Sequence, residues 1–418
     1  MSEWLEEWGE RPRRKVRPFW WPPTLVLRQA ASALYLGALA RWRALPRWLL
    51  TYGFKCLPGA AGSQGMGCIG FPAHPVWEMT SACNLRCVHC HASGGEPADD
   101  ELTTSEAKRL LDQLAGIREF RMMAFTGGEP LVRPDLFELL AYSQALGFAN
   151  TMATNATLID DAVASRLRQC GVVIAAVSLD GFDAATHDSI RGIPGAFESA
   201  LRGMRALRRS GILLHVNITA MEYNMDQMAP LMALVDELGT GIVLIYQLVP
   251  VGRGRRIEEA TLDLSANERL IRFMAQAQRS TRAIMEPVAG PQYWPFLLQR
   301  AGIRSGPLLR LAEIVFHGCS AGRGFVYIKP NGEVWPCPFI ETSCGNVRET
   351  PFPIIWATSP VFKELRAREQ LLKGRCGDCV YRRLCGGCRG RTWASTGDYL
   401  AEDPSCFIHP AHENEEPQ

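Results

Sequence analysis

Apolar residues in the first two thirds of the chain follow two periods, one typical of strands and one typical of helices. Short apolar runs at 75–79, 122–126, 150–154, 172–179, 213–218 and 242–248 predict six strands. Apolar positions at helical spacing separate them, and a capping box at 103–106 predicts where the first helix begins. Six strands alternating with helices predict an α/β fold, a partial (β/α)6 TIM-like barrel that is open on one side.

The pattern changes after residue 250 and the composition changes after residue 316. A helix is predicted over 267–281, and eight cysteines lie between 319 and 406. Runs at 325–329 and 333–335, joined by Pro330-Asn331-Gly332, predict a β-hairpin, with a short helix near 361–370. The predicted organisation is an N-terminal extension (1–70), the barrel (71–250), a bridging segment (251–315), a cysteine-rich domain (316–410) and a tail (411–418).

Composition narrows the class of protein. The 418 residues are enough for two domains, and 47% hydrophobic with 21% charged residues is typical of a globular chain. A net charge of +2 gives no indication of nucleic-acid binding. The 14 cysteines are closely spaced, which favours metal binding over disulfides and therefore a reducing, cytoplasmic location. The first residues show no signal-peptide pattern.

The N-terminal extension is basic and aromatic. Residues 11–55 contain ten Lys or Arg and no Asp or Glu, interleaved with Trp and Phe. Its longest charge-free run is too short to cross a bilayer. Such a segment fits peripheral contact with an anionic membrane or a partner, or equally a helix packed against the barrel. Cys56 and Cys68 are predicted to be thiols without a site, because nothing near them completes one.

Three thiols follow the first predicted strand. Cys83, Cys87 and Cys90 are spaced C-x3-C-x2-C. A structural zinc site closes with four protein ligands, whereas three thiolates on a cubic iron–sulfur cluster leave one iron open. The carboxyl ends of barrel strands are where catalytic groups gather. The triplet therefore predicts a cluster site with an open iron in the loop after the first strand.

This triplet resembles the radical S-adenosylmethionine (SAM) superfamily, whose open iron chelates the amino and carboxylate groups of SAM. Gly127-Gly128-Glu129-Pro130, at the end of the second predicted strand, looks like the GGEP motif of that family. The resemblance implies that Gly127, Gly128 and Glu129 contact the methionine amino group. The glycines allow close backbone approach, and a carboxylate can accept from an ammonium group.

Other polar residues at strand ends are candidate SAM contacts by the same resemblance. Ser178 and Asn217 end the fourth and fifth predicted strands. Arg191 is predicted to bind the SAM carboxylate, with an exposed salt bridge as the alternative. His89 occupies the position where the family usually has an aromatic residue beside the adenine, and His91 is a candidate proton donor.

The C-terminal cysteine spacing is similar to that of the SPASM domain of radical SAM maturases. It departs from the usual pattern in having two rather than three residues inside the last close pair. By this resemblance one auxiliary cluster is held by Cys376, Cys379, Cys385 and Cys406, and part of another by Cys319, Cys337 and Cys388. The fourth ligand of the latter is either Cys344 or an open position for substrate, and a zinc site is the alternative for the domain.

The resemblance implies an enzyme that splits SAM reductively to a 5′-deoxyadenosyl radical, which abstracts hydrogen from an unactivated C–H bond in a site that excludes water. Auxiliary clusters accept an electron from the substrate radical, which suits net oxidations such as decarboxylation. An electron donor such as ferredoxin or flavodoxin is the expected protein partner.

The expected substrate is a tetrapyrrole. The runs 249–254, 379–391 and 396–406 resemble the SPASM enzymes of alternative haem biosynthesis, which trim side chains of siroheme-derived tetrapyrroles. Arg253, Arg255 and Arg256 are either partners for substrate carboxylates or a solvated face. Two alternatives stay open: a peptide maturase of the quinone-cofactor or mycofactocin type, and a non-catalytic iron–sulfur or zinc protein.

Overall fold

The computed structural model describes residues 74–117, 120, 122–278, 281, 283–315 and 318–408. The basic N-terminal extension (1–70), with Cys56, Cys68 and the predicted membrane contact through 11–55, lies outside the described residues. The predicted tail (411–418) does so too.

One ten-stranded sheet organises the described part of the chain. Eight neighbouring strands are parallel, in the order β8-β1-β2-β3-β4-β5-β6-β7, and β9 and β10 extend the sheet beyond β8 in antiparallel pairing. The strands are β1 His74–Glu78, β2 Met122–Thr126, β3 Ala149–Thr154, β4 Val172–Ser178, β5 Leu213–Ala220, β6 Ile242–Gln247, β7 Ile284–Val288, β8 Phe325–Ile328, β9 Glu333–Trp335 and β10 Gly345–Asn346.

Helices connect the parallel strands and cover the outer face of the sheet. They are α1 Thr104–Ala115, α2 Leu136–Ala145, α3 Asp161–Gln169, α4 Ala184–Arg191, α5 Ala196–Arg209, α6 Met228–Glu237, α7 Leu264–Ala277, α8 Tyr293–Arg300 and α9 Gly306–Val315. The C-terminal part adds α10 Phe352–Thr358, α11 Pro360–Arg366, α12 Arg368–Leu371, α13 Gly374–Asp378 and α14 Arg389–Thr396. Short 3-10 segments lie at Pro130–Val132, Met225–Gln227 and Gly252–Ala260.

The first helix shows why these segments form where the sequence predicts them. Thr103 and Glu106 make the predicted capping box, which satisfies two backbone donors at the start of α1. Ala107, Leu110 and Leu111 are buried on its inner face, together with Leu114. The apolar stripe thus packs on the sheet while the polar face meets solvent, as helical periodicity requires.

The α/β barrel prediction is confirmed, and the sheet is wider than the sequence indicated. All six predicted strands are present, as is the hairpin of β8 and β9. The segment predicted as a bridge supplies a seventh parallel strand, β7, which pairs with β6. It was not predicted because Pro287 and Glu286 interrupt its apolar run.

The cysteine-rich segment is joined to the barrel through the sheet itself. β8 pairs in parallel with β1, so the C-terminal hairpin extends the barrel sheet at its β1 edge. This pairing places residues 319–340 beside the loop that follows β1. In the described part of the chain, no helix has both the length and the apolar character to cross a membrane.

Candidate active site

The three thiols of the first cysteine motif line one end of a central cavity of about 330 Å³. The loop that carries them is held by backbone donors to sulfur: Leu85 N lies 3.4 Å from Cys83 Sγ and Gly94 N lies 3.4 Å from Cys90 Sγ. Burial raises the pKa of Cys83 to about 11, so as a free thiol it is protonated at neutral pH. A metal that binds here must displace those protons.

The loop after β6 clamps the cysteine loop from the other side. Arg253 donates from Nε to Cys87 O (2.9 Å) and from Nη1 to Gly94 O (2.7 Å). Gly252 has φ of +56°, and a Cβ there would lie 2.3 Å from His91 O. Arg255 and Arg256 are exposed, and Arg255 pairs with Glu341. Of the three arginines, Arg253 alone lines the cavity, and its donors already serve the loop.

The two glycines after β2 are required by contact between two loops. A Cβ on Gly128 would lie 2.2 Å from Ala82 O, and one on Gly127 would lie 2.7 Å from Thr80 O. Gly128 N also donates to Thr80 O at 2.7 Å. The glycines therefore let the β2 turn bond directly to the cysteine loop, and both line the cavity as predicted.

Glu129 is fully buried behind the cavity wall. Its Oε1 accepts from Thr154 Oγ1 (2.8 Å) and its Oε2 accepts from Asn155 N (2.8 Å). Burial raises the pKa of the Glu129 carboxyl to about 7, and these hydrogen bonds oppose the rise. The carboxylate thus fixes the turns after β2 and β3, while Gly127, Gly128, Thr154 and Asn155 reach the cavity surface.

Arg191 forms a buried ion pair beside the thiols. Its Nη2 lies 2.6 Å from Asp180 Oδ2, and its Nη1 lies 3.7 Å from Cys87 Sγ. His89 Nε2 is 3.6 Å from the same Asp180 oxygen. The exposed salt bridge considered for Arg191 is therefore wrong, because the guanidinium is buried and lines the cavity. Burial lowers the pKa of His89 to about 4, so its ring is neutral.

Inward-facing strand residues make the cavity wall, and small side chains make the space. Ala124, Ala153 and Ala176 occupy inward positions on β2, β3 and β4. A barrel of this kind usually fills its interior with bulky side chains, so alanine at these positions leaves room for a ligand. Ser178 and Asn217, predicted as ligand contacts, lie opposite each other on β4 and β5 and both face the cavity.

His215 was not predicted and also faces the cavity. It lies opposite Ala176 on the neighbouring strand, is 2% exposed, and its Nε2 has no hydrogen-bond partner within the described part of the chain. Burial alone lowers its pKa to about 3. A single histidine in an apolar strand gives no sequence signal; only the register across β4 and β5 shows where it points.

A buried chain of polar groups links His91 to the edge of the sheet. His91 Nε2 lies 3.2 Å from Tyr327 Oη, which donates to Glu78 Oε2 at 3.0 Å. Lys329 Nζ is 2.8 Å from the same Glu78 oxygen. His91 and Tyr327 line the cavity, while Glu78 is fully buried. Glu78 and Tyr327 escaped prediction because the parallel pairing of β1 with β8 brings them together.

The auxiliary thiols line two different spaces. Cys319, Cys337 and Cys388 line the same central cavity as the first motif. Cys344 lies apart from them: its thiol interacts with Ser359, and its charged neighbours are Glu333 and Arg366. The structure therefore does not support Cys344 as the fourth ligand and leaves the three-thiol set facing the cavity.

The second set surrounds its own small pocket. Cys376, Cys379, Cys385 and Cys406 line it together with Gly386, Gly387 and Asp403. Gly387 N lies 3.4 Å from Cys385 Sγ, and Asp403 N lies 3.4 Å from Cys376 Sγ. Four thiols with amide donors around one space are the groups that hold an iron–sulfur cluster.

The thiol sites fit clusters better than single metal ions. In the described ranges, no three His, Cys, Asp or Glu side chains converge on a point where one ion could bind. A zinc ion would need its ligands about 2 Å away on all sides, whereas a cluster needs thiols around a larger space. Amide donors reach a sulfur in each of the three sets, the third being Arg391 N to Cys388 Sγ at 3.4 Å.

Comparison with known proteins agrees with this geometry. Residues 77–235 match the radical SAM superfamily, and residues 319–380 match SPASM, an iron–sulfur cluster-binding domain. An AdoMet-dependent heme synthase of Methanosarcina barkeri is 38% identical over 80% of this chain and 96% of that protein. A mycofactocin maturase of Mycobacterium ulcerans is 32% identical over 79% of this chain and 86% of that protein.

A solved structure shares the fold. Streptococcus suis SuiB, crystallised with S-adenosylmethionine, superposes with a TM-score of 0.65 at 20% identity. The alignment covers 81% of this chain and 78% of that one. At this identity the likeness concerns the fold: a barrel-like parallel sheet followed by a C-terminal cysteine-rich segment.

Proposed function

This chain belongs to the radical SAM superfamily and carries a SPASM domain, and on that basis we propose that it oxidatively trims side chains of a tetrapyrrole in haem biosynthesis. The observation that carries the proposal is that two thiol triplets line the same cavity, together with small inward-facing residues that leave space in it. In this proposal a substrate bound in the cavity lies near both the site of radical formation and an electron acceptor.

The protein is an enzyme that uses a SAM-binding [4Fe–4S] cluster, SAM and auxiliary iron–sulfur clusters. When bound, the reduced SAM cluster and SAM together supply a 5′-deoxyadenosyl radical that abstracts a hydrogen atom. We assign Cys83, Cys87 and Cys90 as ligands of that cluster. For the auxiliary clusters we assign Cys319, Cys337 and Cys388 to one, and Cys376, Cys379, Cys385 and Cys406 to the other.

The residues around the first triplet have two kinds of role in this proposal. Gly127, Gly128, Ser178 and Asn217 face the cavity and are in place to contact SAM directly. Arg191 is paired with Asp180 and lines the cavity beside Cys87, and its guanidinium is proposed to contact the SAM carboxylate. Glu129 fixes the turns after β2 and β3 through the hydrogen bonds of its carboxylate.

The cavity wall suits radical chemistry because it removes competing reactants. Its lining is mostly apolar, and its charged groups are bonded within the protein, as in the Arg191–Asp180 pair. His89 and His215 are neutral because burial lowers their pKa values. Excluding water in this way protects a reactive intermediate from side reactions.

The proposal is tested with anaerobically reconstituted protein, SAM, dithionite and an iron porphyrin that carries propionate side chains. We expect 5′-deoxyadenosine together with a porphyrin whose mass has fallen by one carbon dioxide and two hydrogens for each side chain trimmed. The Cys83→Ala, Cys87→Ala, Cys90→Ala triple variant should yield neither product. If 5′-deoxyadenosine forms while every tested tetrapyrrole stays unchanged, the proposed substrate is wrong. The assignment to the radical SAM superfamily would still hold.

A peptide substrate is the second candidate, because the mycofactocin maturase also aligns along most of the chain. Its identity is lower than that of the heme synthase relative. In the same assay it predicts radical-dependent modification of a short precursor peptide and no porphyrin product. The two substrates are therefore separated by one mass-spectrometric measurement.

Two further partners belong to the proposal. A ferredoxin- or flavodoxin-class protein supplies the reducing electron, and residues 11–55 make peripheral contact with an anionic membrane. The ten basic residues of that segment support the second idea. The full-length protein should co-sediment with vesicles that contain anionic lipid, and a variant that lacks residues 1–54 should not. Equal binding by the full-length protein and the deletion variant would contradict the proposed membrane contact.

A further inference from the structure

Three arginine side chains are buried between the two sets of auxiliary thiols. Arg368 and Arg389 are 0% exposed and Arg391 is 3% exposed. Arg391 forms a bidentate pair with Asp403, with Nε 2.9 Å from Oδ1 and Nη2 2.9 Å from Oδ2. Its charge is therefore compensated by a protein carboxylate.

The other two guanidinium groups form no bidentate pair of this kind among the described residues, and the carboxylates near Arg389 are Asp398 and Asp403, of which Asp403 already pairs with Arg391. Arg368 donates to the carbonyl of Cys319, and its Nε and Nη2 lack any hydrogen-bond acceptor. Arg389 donates from Nη1 to Tyr399 O (2.9 Å) and Ala401 O (2.6 Å), while its Nε lacks an acceptor. Three buried guanidinium groups around the one buried carboxylate of Asp403 leave an excess of positive charge, which is costly, so a further anionic group is expected beside Arg368 and Arg389.

The positions of these side chains identify the missing anions. Arg389 Nη2 lies 3.7 Å from Cys376 Sγ, a member of the four-thiol set. The electrostatic neighbours of Arg368 include Cys319 from the three-thiol set and Cys385 from the four-thiol set. Thiolates that hold a cluster carry negative charge, and they would compensate these guanidinium groups on both sides.

We propose that Arg368 and Arg389 raise the reduction potentials of the two auxiliary clusters and so make them acceptors for the electron that leaves the substrate. This inference rests on the proposed function for its cluster ligands. Reduction adds one negative charge, and a fixed positive charge at close range in a low-dielectric interior stabilises that product. Arg391 contributes less because Asp403 neutralises it.

The electron balance is consistent with side-chain trimming. Each propionate loses one hydrogen atom and one carbon dioxide, becomes an alkene, and releases one electron. The three-thiol set faces the cavity and is the first acceptor. Asp403 joins the two sets, because its Oδ2 accepts from Cys388 N (2.7 Å) while its own N donates to Cys376 Sγ. A one-electron carrier of the ferredoxin or flavodoxin class removes the electron.

The test measures the reduction potentials of the auxiliary clusters and does not depend on enzymatic turnover. The Cys83→Ala, Cys87→Ala, Cys90→Ala background isolates the auxiliary clusters, which are reconstituted and titrated with EPR detection. Arg368→Gln and Arg389→Gln should each lower the equilibrium constant for one-electron reduction at least tenfold, or about 59 mV. Arg368→Lys and Arg389→Lys, which keep the charge, should stay near the parent protein.

Arg383→Gln is the matched control. It removes the same charge from the loop between Cys379 and Cys385, but its side chain is 62% exposed and lies 3.8 Å from Glu369, so solvent screens it. No shift is expected there. A shift as large as that of Arg368→Gln would overturn the inference.

The outcomes distinguish the inference from the proposed function. If the parent background binds no iron, the ligand assignment fails and the inference fails with it. If it binds iron and both Gln variants titrate like the parent, the inference alone is overturned. Equal shifts of the reduction potential in the Lys and Gln variants would also overturn the inference, because the effect would then come from altered packing and not from the lost charge. If Gln variants lose the clusters that Lys variants retain, the result supports charge compensation.

Discussion

Individual polar residues around the cavity are held in one charge state by burial. Asp180 is fully buried and is stabilised as an anion by Arg191, which keeps the pKa of its carboxyl below the ordinary value in spite of burial. His215 has no such partner and is neutral. A neutral imidazole in this position keeps the cavity free of a mobile positive charge at the pH of the cell.

Burial of His215 predicts a loss of stability in acid. Its pKa is about 3 in the folded protein and about 6.5 in the unfolded chain, so below pH 6.5 the unfolded state binds the extra proton. Unfolding is therefore favoured as pH falls. Between pH 8 and pH 5 this single group should cost about 2 kcal/mol.

The measurement is urea unfolding of wild type and His215→Gln at both pH values. Wild type should lose about 2 kcal/mol more than the variant on acidification. The other buried histidines contribute equally to both proteins and cancel in the comparison. Identical pH dependence in the two proteins would show that His215 titrates normally in the folded state.

At the scale of elements, contacts between loops define the site. The turn after β2 and the 3-10 segment after β6 both bond to the cysteine loop after β1, through Gly128 and Arg253. Each contact joins the carboxyl end of one strand to that of another. Three loops are thereby fixed to each other, so the thiols are positioned before any metal binds.

Gly128→Ala should disrupt this arrangement because the added Cβ would lie 2.2 Å from Ala82 O. The β2 turn must then move away from the cysteine loop. A displacement of about 1 Å at a reacting site costs roughly 100-fold in rate, so 5′-deoxyadenosine formation should fall by that order. SAM affinity, measured by calorimetry on reconstituted protein, should fall with it.

Gly95→Ala is the control, since the nearest atom to its Cβ would be 4.0 Å away in the same loop. It should retain nearly full activity. Equal losses in the two variants would mean that the loop tolerates no side chain anywhere, and the close contact would not be the cause.

At the scale of the whole molecule, the sheet joins distant parts of the sequence. Cys319, Cys337 and Cys388 reach the cavity that begins at Cys83 because β8 pairs with β1. α14, which begins at Arg389, is joined to β6 through the bond from Arg391 Nη1 to Gln247 Oε1 at 2.6 Å. The auxiliary segment is thus part of the cavity wall.

Cysteine replacements test this arrangement at the level of metal content. Cys388→Ala should lose one auxiliary cluster, or about four iron atoms per chain. Cys344→Ala should keep all its iron, because its thiol lies with Ser359 away from the cavity. Iron analysis with EPR of the reduced proteins distinguishes them. Loss of the same cluster in both variants would restore Cys344 as a ligand.

The sequence by itself determined the six barrel strands and the first helix cap, whereas the division of the cysteines into sets was implied only by the resemblance to the SPASM domain. The strands and the cap depend on spacing along the chain, with a period of two for strands and 3.6 for helices. These are local properties, which is why they could be predicted without a structure. The strand β7 escaped because its local pattern is broken by Pro287.

Only the tertiary structure decided what each candidate side chain faces. The Glu129 carboxylate is bonded to the turn after β3, Arg191 is a member of a buried ion pair, and the thiol of Cys344 lies beside Ser359. The sequence did not predict that His215 and Tyr327 line the cavity or that three arginines are buried near the auxiliary thiols. The physical reason is that burial, charge compensation and strand register are set by residues distant in sequence, and spacing along one chain contains no information about them.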